Sequence, residues 1–168
     1  MLRKATPEDS EAIGRIRVAA WRAAYREFLP KSFLDGLDPL EKMAELRNRL
    51  VSQSPEFNVS VAEVDEQVVG FSIVGKPRYE SEAGTIELWA LNVSPDYWRR
   101  GVGSCLVTEA AAYARQEQFG AIGLWCIENN TPAQKAYEKL GFIQTGIKRS
   151  TSGLTGSILH EVQYIKML

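Results

Sequence analysis

Arg99-Arg100-Gly101-Val102-Gly103-Ser104 places two cations beside two glycines within six residues. An apolar run, Thr85 to Val93, precedes it and closes on Ser94-Pro95-Asp96. Cys105 to Gln118 follows and reads as a helix, with Leu106, Val107, Ala110 and Tyr113 or Ala114 inward. A glycine-bearing turn between a strand and a helix start sets several backbone N–H groups at the positive end of a helix dipole, and that geometry binds phosphate. The two arginines add mobile positive charge, so the chemistry on offer is retention of a phosphorylated cofactor. Two common phosphate loops are excluded. A dinucleotide fingerprint needs a third glycine where Leu106 stands, and a Walker loop needs a lysine that Gly103-Ser104-Cys105 lacks. By itself the turn fits either another phosphate loop or a tight turn with solvated arginines.

A second cluster follows the apolar run Ala121 to Ile127. Asn130 stands at this strand's end, where its amide can bond amide groups of an extended ligand, or simply make a turn. Ala133 and Tyr137 lie four apart on one helix face. The small alanine leaves room and the tyrosine directs a phenol into it, unless both are packing residues. Glu87 lies on the earlier strand and by alternation shares a face with Trp89, Leu91 and Val93. A carboxyl in such apolar company has a raised pKa and can take a proton; the other reading is a buried salt bridge or a substrate anchor. No Ser/His/Asp or Cys/His arrangement competes. His160, the single histidine, reads as an ordinary strand-end residue. Cys105 and Cys126 lack metal-ligand spacing and their neighbours look buried, so two free thiols of a cytoplasmic protein are expected, with no metal.

These groups need elements to hold them. Thr6-Pro7-Glu8-Asp9 is a helix start, with Ile13, Ile16, Ala20 and Tyr25 or Ala24 recurring until Pro30. Asp38-Pro39-Leu40-Glu41 repeats the signal and predicts a helix to about Gln53; Thr131-Pro132-Ala133-Gln134 predicts a third, closed by Gly141. Strand-like runs cover Asn58 to Val64 and Gln67 to Val74 around Asp65-Glu66, which suggests a hairpin. Thr85 to Val93, Ala121 to Ile127, Phe142 to Arg149 and His160 to Met167 follow. A Ser/Thr/Gly stretch from Ser150 to Ser157 separates the last two. The pattern is one α+β domain around a mixed sheet.

Composition agrees. The 168 residues suit one domain with a full core, and 45% hydrophobic with 24% charged content is ordinary for a globular chain. A net charge of -1 argues against broad nucleic-acid or anionic-membrane binding. No apolar run approaches a membrane span, and the N-terminus lacks a signal-peptide core.

From Glu87 to Phe142 the chain resembles the acetyl-CoA-binding half of the GCN5-related N-acetyltransferases (GNAT). The phosphate loop, the Asn-x-x-Ala-x-x-x-Tyr pattern at Asn130, Ala133 and Tyr137, the Leu140-Gly141-Phe142 ending and the spacing between them carry the resemblance. Leu2 to Asp9 also looks like the opening of family members. The resemblance implies a GNAT-like α+β fold: a mostly antiparallel mixed sheet of about six or seven strands with helices on both faces. Residues 1–84 would form the acceptor-side half, 85–145 the acetyl-CoA-binding half and 146–168 a C-terminal hairpin. Backbone N–H groups of Arg99, Arg100, Gly101, Val102, Gly103 and Ser104 would hold the CoA pyrophosphate. Leu91, Asn92 and Val93 would pair with the pantetheine arm, Asn130 and Ala133 would line its other side, and Tyr137 would protonate the leaving thiolate. Glu87 is the candidate base, and the oxyanion would meet a strand N–H of Leu91 or Val93.

One departure from the family's pattern is Trp98, which stands where Gln or Arg usually begins the loop and would have to steady it by packing. The acceptor would be a small-molecule or amino-acid-like primary amine, acetylated directly in a ternary complex. Trp21, Tyr25, Phe28 and Phe33 would wall its site, with Glu80 and Glu82 on the 76–82 tip placed to meet a cation. Two alternatives stand beside this. One is a protein N-terminal acetyltransferase, whose base would fall at Trp125; the other is a non-catalytic CoA-binding sensor. Sheet-edge homodimers are frequent among relatives.

Overall fold

Arg3, in the first strand, fixes the entrance to the fold. The computed structural model describes residues 1–168 except Gln53, Glu80 and Leu154. The Arg3 guanidinium donates to both carboxylate oxygens of Asp9, at 2.7 and 2.8 Å, and to Glu63 at 2.6 Å. Asp9 also accepts the Thr6 backbone N–H, so one carboxylate joins β1 (Leu2–Lys4) to the start of α1 (Ser10–Ala24). The Arg3 hydrogen bonds hold the Asp9 carboxyl below its usual range.

The chain then forms α2 (Lys31–Asp35), α3 (Met43–Val51), β2 (Phe57–Val64), β3 (Gln67–Gly75) and β4 (Thr85–Val93). It continues with α4 (Val102–Gln116), β5 (Ala121–Ile127), α5 (Thr131–Lys139), β6 (Ile143–Thr151) and β7 (Leu159–Met167). Seven strands make one sheet in the order β1-β2-β3-β4-β5-β7-β6, as the α+β reading expects. Every neighbouring pair is antiparallel except β4 with β5.

Both faces are covered. On one, Ile13 and Ile16 of α1 and Leu50 of α3 pack on Phe57, Val59, Val61 and Phe71. On the other, Val107, Ala110 and Ala114 of α4 meet Ile86, Leu88, Ile122 and Leu124, with Phe142 and Tyr164 beside them.

The helix expected from Asp38 begins only at Met43. Asp38 Oδ1 accepts the Leu40 N–H at 2.9 Å, making a side-chain turn that competes with a helix, and Lys42 is left-handed at φ 59°. This turn lies against α1 at Gly14, where any Cβ would collide with the Pro39 carbonyl oxygen. Short α2, with Pro30 as its N-cap, has no counterpart in the sequence reading.

Two features of β4 shape the site. Its parallel pairing with β5 covers only Thr85–Ala121, Ile86–Ile122 and Glu87–Gly123, after which the strands part. Against β3 it carries a bulge: Ala90 faces Ile73 and Leu88 faces Val74, leaving Trp89 as the extra residue. A bulge shifts alternation by one, so Leu91 and Val93 turn toward α4 while Trp89 and Ala90 pack on the α1 side. The expected shared face of Glu87, Trp89, Leu91 and Val93 is therefore broken at Trp89.

Candidate active site

The phosphate-loop residues form an open cradle. Arg99 and Gly101 are both left-handed, at φ 60° and 82°, which turns the chain sharply into α4. The helix starts at Val102, three residues before the expected Cys105, because Gly101 is the last residue outside it. Glycine at the N-cap supplies no side-chain acceptor, and the first N–H bonded back into the turn is that of Cys105, to Gly101 O at 3.0 Å. The N–H groups of Val102, Gly103 and Ser104 thus lead the helix dipole without an intrahelical partner. Nothing lies within 4 Å of where a Gly101 Cβ would stand, so a phosphate can approach the backbone here. Cys105 is exposed on this first turn.

Trp98 is exposed and acts through a hydrogen bond. Its indole N–H donates to Val93 O at 2.7 Å and fastens the cradle to the end of β4. Arg100 lies over the Tyr97 ring at 5.2 Å.

Where β4 and β5 part, a cavity of about 260 Å³ opens; Leu91, Asn92, Leu124, Trp125 and Tyr137 line it, with Trp21 of α1 and Tyr25 just after that helix. Tyr137 is half-buried, its ring edge-on to Phe142 (5.8 Å) and tilted on Tyr164 (6.3 Å). Burial pushes its phenol well above the ordinary range, and nearby Tyr25 and Cys126 add to this. Burial also raises Tyr25 and the Cys126 thiol, each to about 12. The surroundings of this cleft thus keep phenols and thiols protonated.

Asn130 is buried, but it stands beyond the end of β5 as the N-cap of α5. Its Oδ1 accepts the Ala133 N–H at 3.3 Å, which leaves its amide nitrogen for a ligand. Ala133 packs against the core on the same helix as Tyr137.

Glu87 differs from expectation. It is only 4% exposed, yet its company is ionic. Oε2 accepts the Arg78 backbone N–H at 2.8 Å, and Oε1 accepts Arg78 Nη2 at 2.6 Å and Nε at 3.1 Å. Glu87 does not line the cavity where β4 and β5 part. Its geometry is that of the buried salt bridge.

A second cavity of about 360 Å³ shares Trp21, Tyr25, Leu88, Trp89 and Trp125 with the first, so the two form one cleft. Its remaining walls include Arg78, Tyr79, Arg149 and Glu161. Of the four aromatic residues expected around an acceptor, Trp21 and Tyr25 line the cleft, whereas Phe28 and Phe33 do not. On the tip, Arg78 and Tyr79 reach the cavity and Glu82 does not; Glu80 lies outside the described residues. His160 meets Ser150 across the β6–β7 ladder, in keeping with a strand-end role. Among the described residues there is no metal-ligand cluster, and no helix is long and apolar enough to cross a membrane.

A family model described as the acetyltransferase (GNAT) family matches residues 18–142. The chain belongs to the GNAT family of acetyltransferases. It is 30% identical over 130 residues to an uncharacterized N-acetyltransferase, YuaI, of Bacillus subtilis strain 168, covering 77% of this chain and 72% of that protein. Among solved structures it is similar to PaiA N-acetyltransferase from Thermoplasma acidophilum in complex with coenzyme A. That match has a TM-score of 0.79 at 20% identity and covers 100% of this chain and 98% of that one. It is also similar to yncA of Salmonella typhimurium, a putative acetyltransferase solved with acetyl-CoA, with a TM-score of 0.72 at 21% identity, covering 100% and 93%. The last two likenesses establish the GNAT fold over the whole chain. As a GNAT member the protein is an N-acetyltransferase, in the acyltransferase class.

The sequence reading missed the charged wall of this GNAT cleft. Arg149 and Glu161 face each other across β6 and β7, and Arg78 comes from the β3–β4 connection. Only the strand pairing brings them together. A cross-strand Arg–Glu pair was readable only once the β6–β7 register was known.

Proposed function

We propose that the chain transfers the acetyl group of acetyl-CoA directly to a primary amine of a small-molecule or amino-acid-like acceptor. The observation that carries this reading is the parting of β4 and β5 beyond Glu87 and Gly123, which leaves Leu91, Asn92 and Tyr137 around one cavity. On this reading the CoA pyrophosphate lies on the N–H groups of Arg99 to Ser104, with Arg99 and Arg100 supplying countercharge. The pantetheine arm follows Leu91, Asn92 and Val93 along the open edge of β4, with the free amide of Asn130 and the small Ala133 opposite. The residues fit such an arm: the edge of β4 beyond Glu87 has no strand partner on that side.

Acyl transfer requires a neutral amine, a stabilised oxyanion and a protonated leaving group. A backbone N–H of Leu91 or Val93 meets the oxyanion. Tyr137 gives its proton to the sulfur. A phenol raised by burial is a weak acid toward a thiolate in water, but the same surroundings raise thiols, as Cys126 shows. Donor and acceptor shift together, which keeps the transfer accessible.

Glu87 is assigned to positioning: it holds Arg78 at the acceptor cavity, and both its oxygens are engaged in doing so. The acceptor amine therefore enters the cleft already neutral or loses its proton to water.

The test is release of free thiol from acetyl-CoA across polyamines, aminoglycosides, amino acids and peptides. Saturable release with a small amine or amino acid is expected. Release confined to peptides would favour protein N-terminal acetylation, and CoA binding without any release would favour a sensor.

A further inference from the structure

The second cavity carries a charge pattern that acetyl transfer itself leaves unused. Its walls hold two guanidiniums, Arg78 and Arg149, against one carboxylate, Glu161. Arg78 spends Nε and Nη2 on Glu87, which is not part of this cavity. Arg149 spends Nε on Glu161, at 2.7 Å. Arg149 Nη1 is buried and meets no hydrogen-bond partner among the described residues. A buried charged donor without an acceptor is costly, and a native site that keeps one calls for the group that completes it.

Arg149 is also restrained in place. Its guanidinium lies 3.8 Å from the centroid of the Tyr79 ring and 4.1 Å from that of Trp125, two rings that meet edge-on at 68°. The two ring contacts and the Glu161 bond restrain the fork before any ligand arrives. A planar fork restrained in this way matches a carboxylate, which accepts two parallel N–H bonds. Tyr79 is 48% exposed on the β3–β4 connection, outside regular structure, so it is the covering ring that can yield to an entering group. Trp21, Tyr25 and Trp89 add an aromatic wall shared with the first cavity, beside the aliphatic Leu29, Leu88 and Ile127.

We propose that the acceptor is a free α-amino acid with an apolar side chain, its carboxylate bound by Arg149 with Arg78 beside it. The side chain packs on the aromatic wall, and the amine points to the part of the cleft where the thioester lies. The amine nitrogen forms the new C–N bond to the acetyl carbonyl carbon as the C–S bond breaks. One N–H proton goes to water, Tyr137 gives its proton to the departing sulfur so that CoA leaves as its thiol, and water returns a proton to the phenolate. This inference rests on the acetyl-CoA-dependent reading given above.

The test measures thiol release from acetyl-CoA with phenylalanine, methionine and leucine, each beside its carboxamide and its decarboxylated amine. At least one free acid is expected to exceed both of its analogues about tenfold in kcat/KM, a gain in keeping with one charge-assisted carboxylate contact. The carboxamide's amine is the weaker base and easier to deprotonate, so a preference for the acid runs against intrinsic reactivity. Arg149→Gln is expected to erase the acid's advantage through KM for the acceptor, with KM for acetyl-CoA unchanged; Arg149→Lys is expected to restore part of it. A CoA-induced rise in melting temperature matching wild type shows that each variant is folded.

Analogues acetylated as well as the acids, or an acid preference that survives in Arg149→Gln, would overturn the inference and leave the acetyltransferase reading intact. So would CoA binding with no acid acetylated. Absence of both CoA binding and thiol release would remove both.

Discussion

Gly103→Asp is expected to lose acetyl-CoA binding while the fold becomes no less stable. Gly103 is in the first turn of α4, where a Cβ would meet only Val93 Cγ2, at 4.0 Å. An aspartate there lies at the positive end of the helix dipole and replaces a poor helix former, for a gain of about 0.5 kcal/mol. The same carboxylate competes for the N–H groups assigned to the pyrophosphate and repels it. Losing two charge-assisted hydrogen bonds at about 1.5 kcal/mol each weakens CoA about 100-fold. Calorimetric titration and a melting curve on the same sample separate the two effects. A variant that melted as wild type yet bound CoA with unchanged affinity would mean that the cradle is only a turn.

Tyr137→Phe is expected to lower kcat by about 100-fold with little change in KM for acetyl-CoA, the low end of what a positioned proton donor contributes. The substitution keeps the ring contacts with Phe142 and Tyr164 and removes only the hydroxyl. Stability should hold, since the ring contacts that seat Tyr137 remain.

The pH profile gives a second reading. In the wild type, burial keeps the phenol protonated well above its ordinary range. The rate should therefore climb with pH as the acceptor amine loses its proton, with no alkaline fall from the phenol up to about pH 10. A fully active phenylalanine variant would assign the proton to another donor.

What was legible in the sequence were the features that local chemistry determines. Gly101 and Gly103 between an apolar run and a helical pattern located the cradle. Thr131-Pro132 and Gly141 bounded the helix that carries Tyr137. What failed depended on partners distant in sequence. Strand alternation placed Glu87 with Leu91 and Val93, but the bulge at Trp89 arises from β3 pairing with β4 and is invisible along β4 alone. Arg78, nine residues before Glu87, was given no role on the 76–82 tip, and only the folded connection turns it back onto the carboxylate. Trp98 stood out as a departure from the family pattern. Its hydrogen bond to Val93 O depends on how the loop returns to the strand, which composition does not record.

The central claim is that this GNAT cleft holds acetyl-CoA, and thermal melting with and without the thioester tests it most directly. At a concentration about 100 times Kd, binding to the native state alone adds about 2.7 kcal/mol of stability. For a chain of 168 residues this corresponds to a rise in Tm of roughly 5–10 °C. A rise of that size that disappears in Gly103→Asp is the expected result. A Tm that does not move at millimolar acetyl-CoA would contradict the account from the cradle to the acceptor wall.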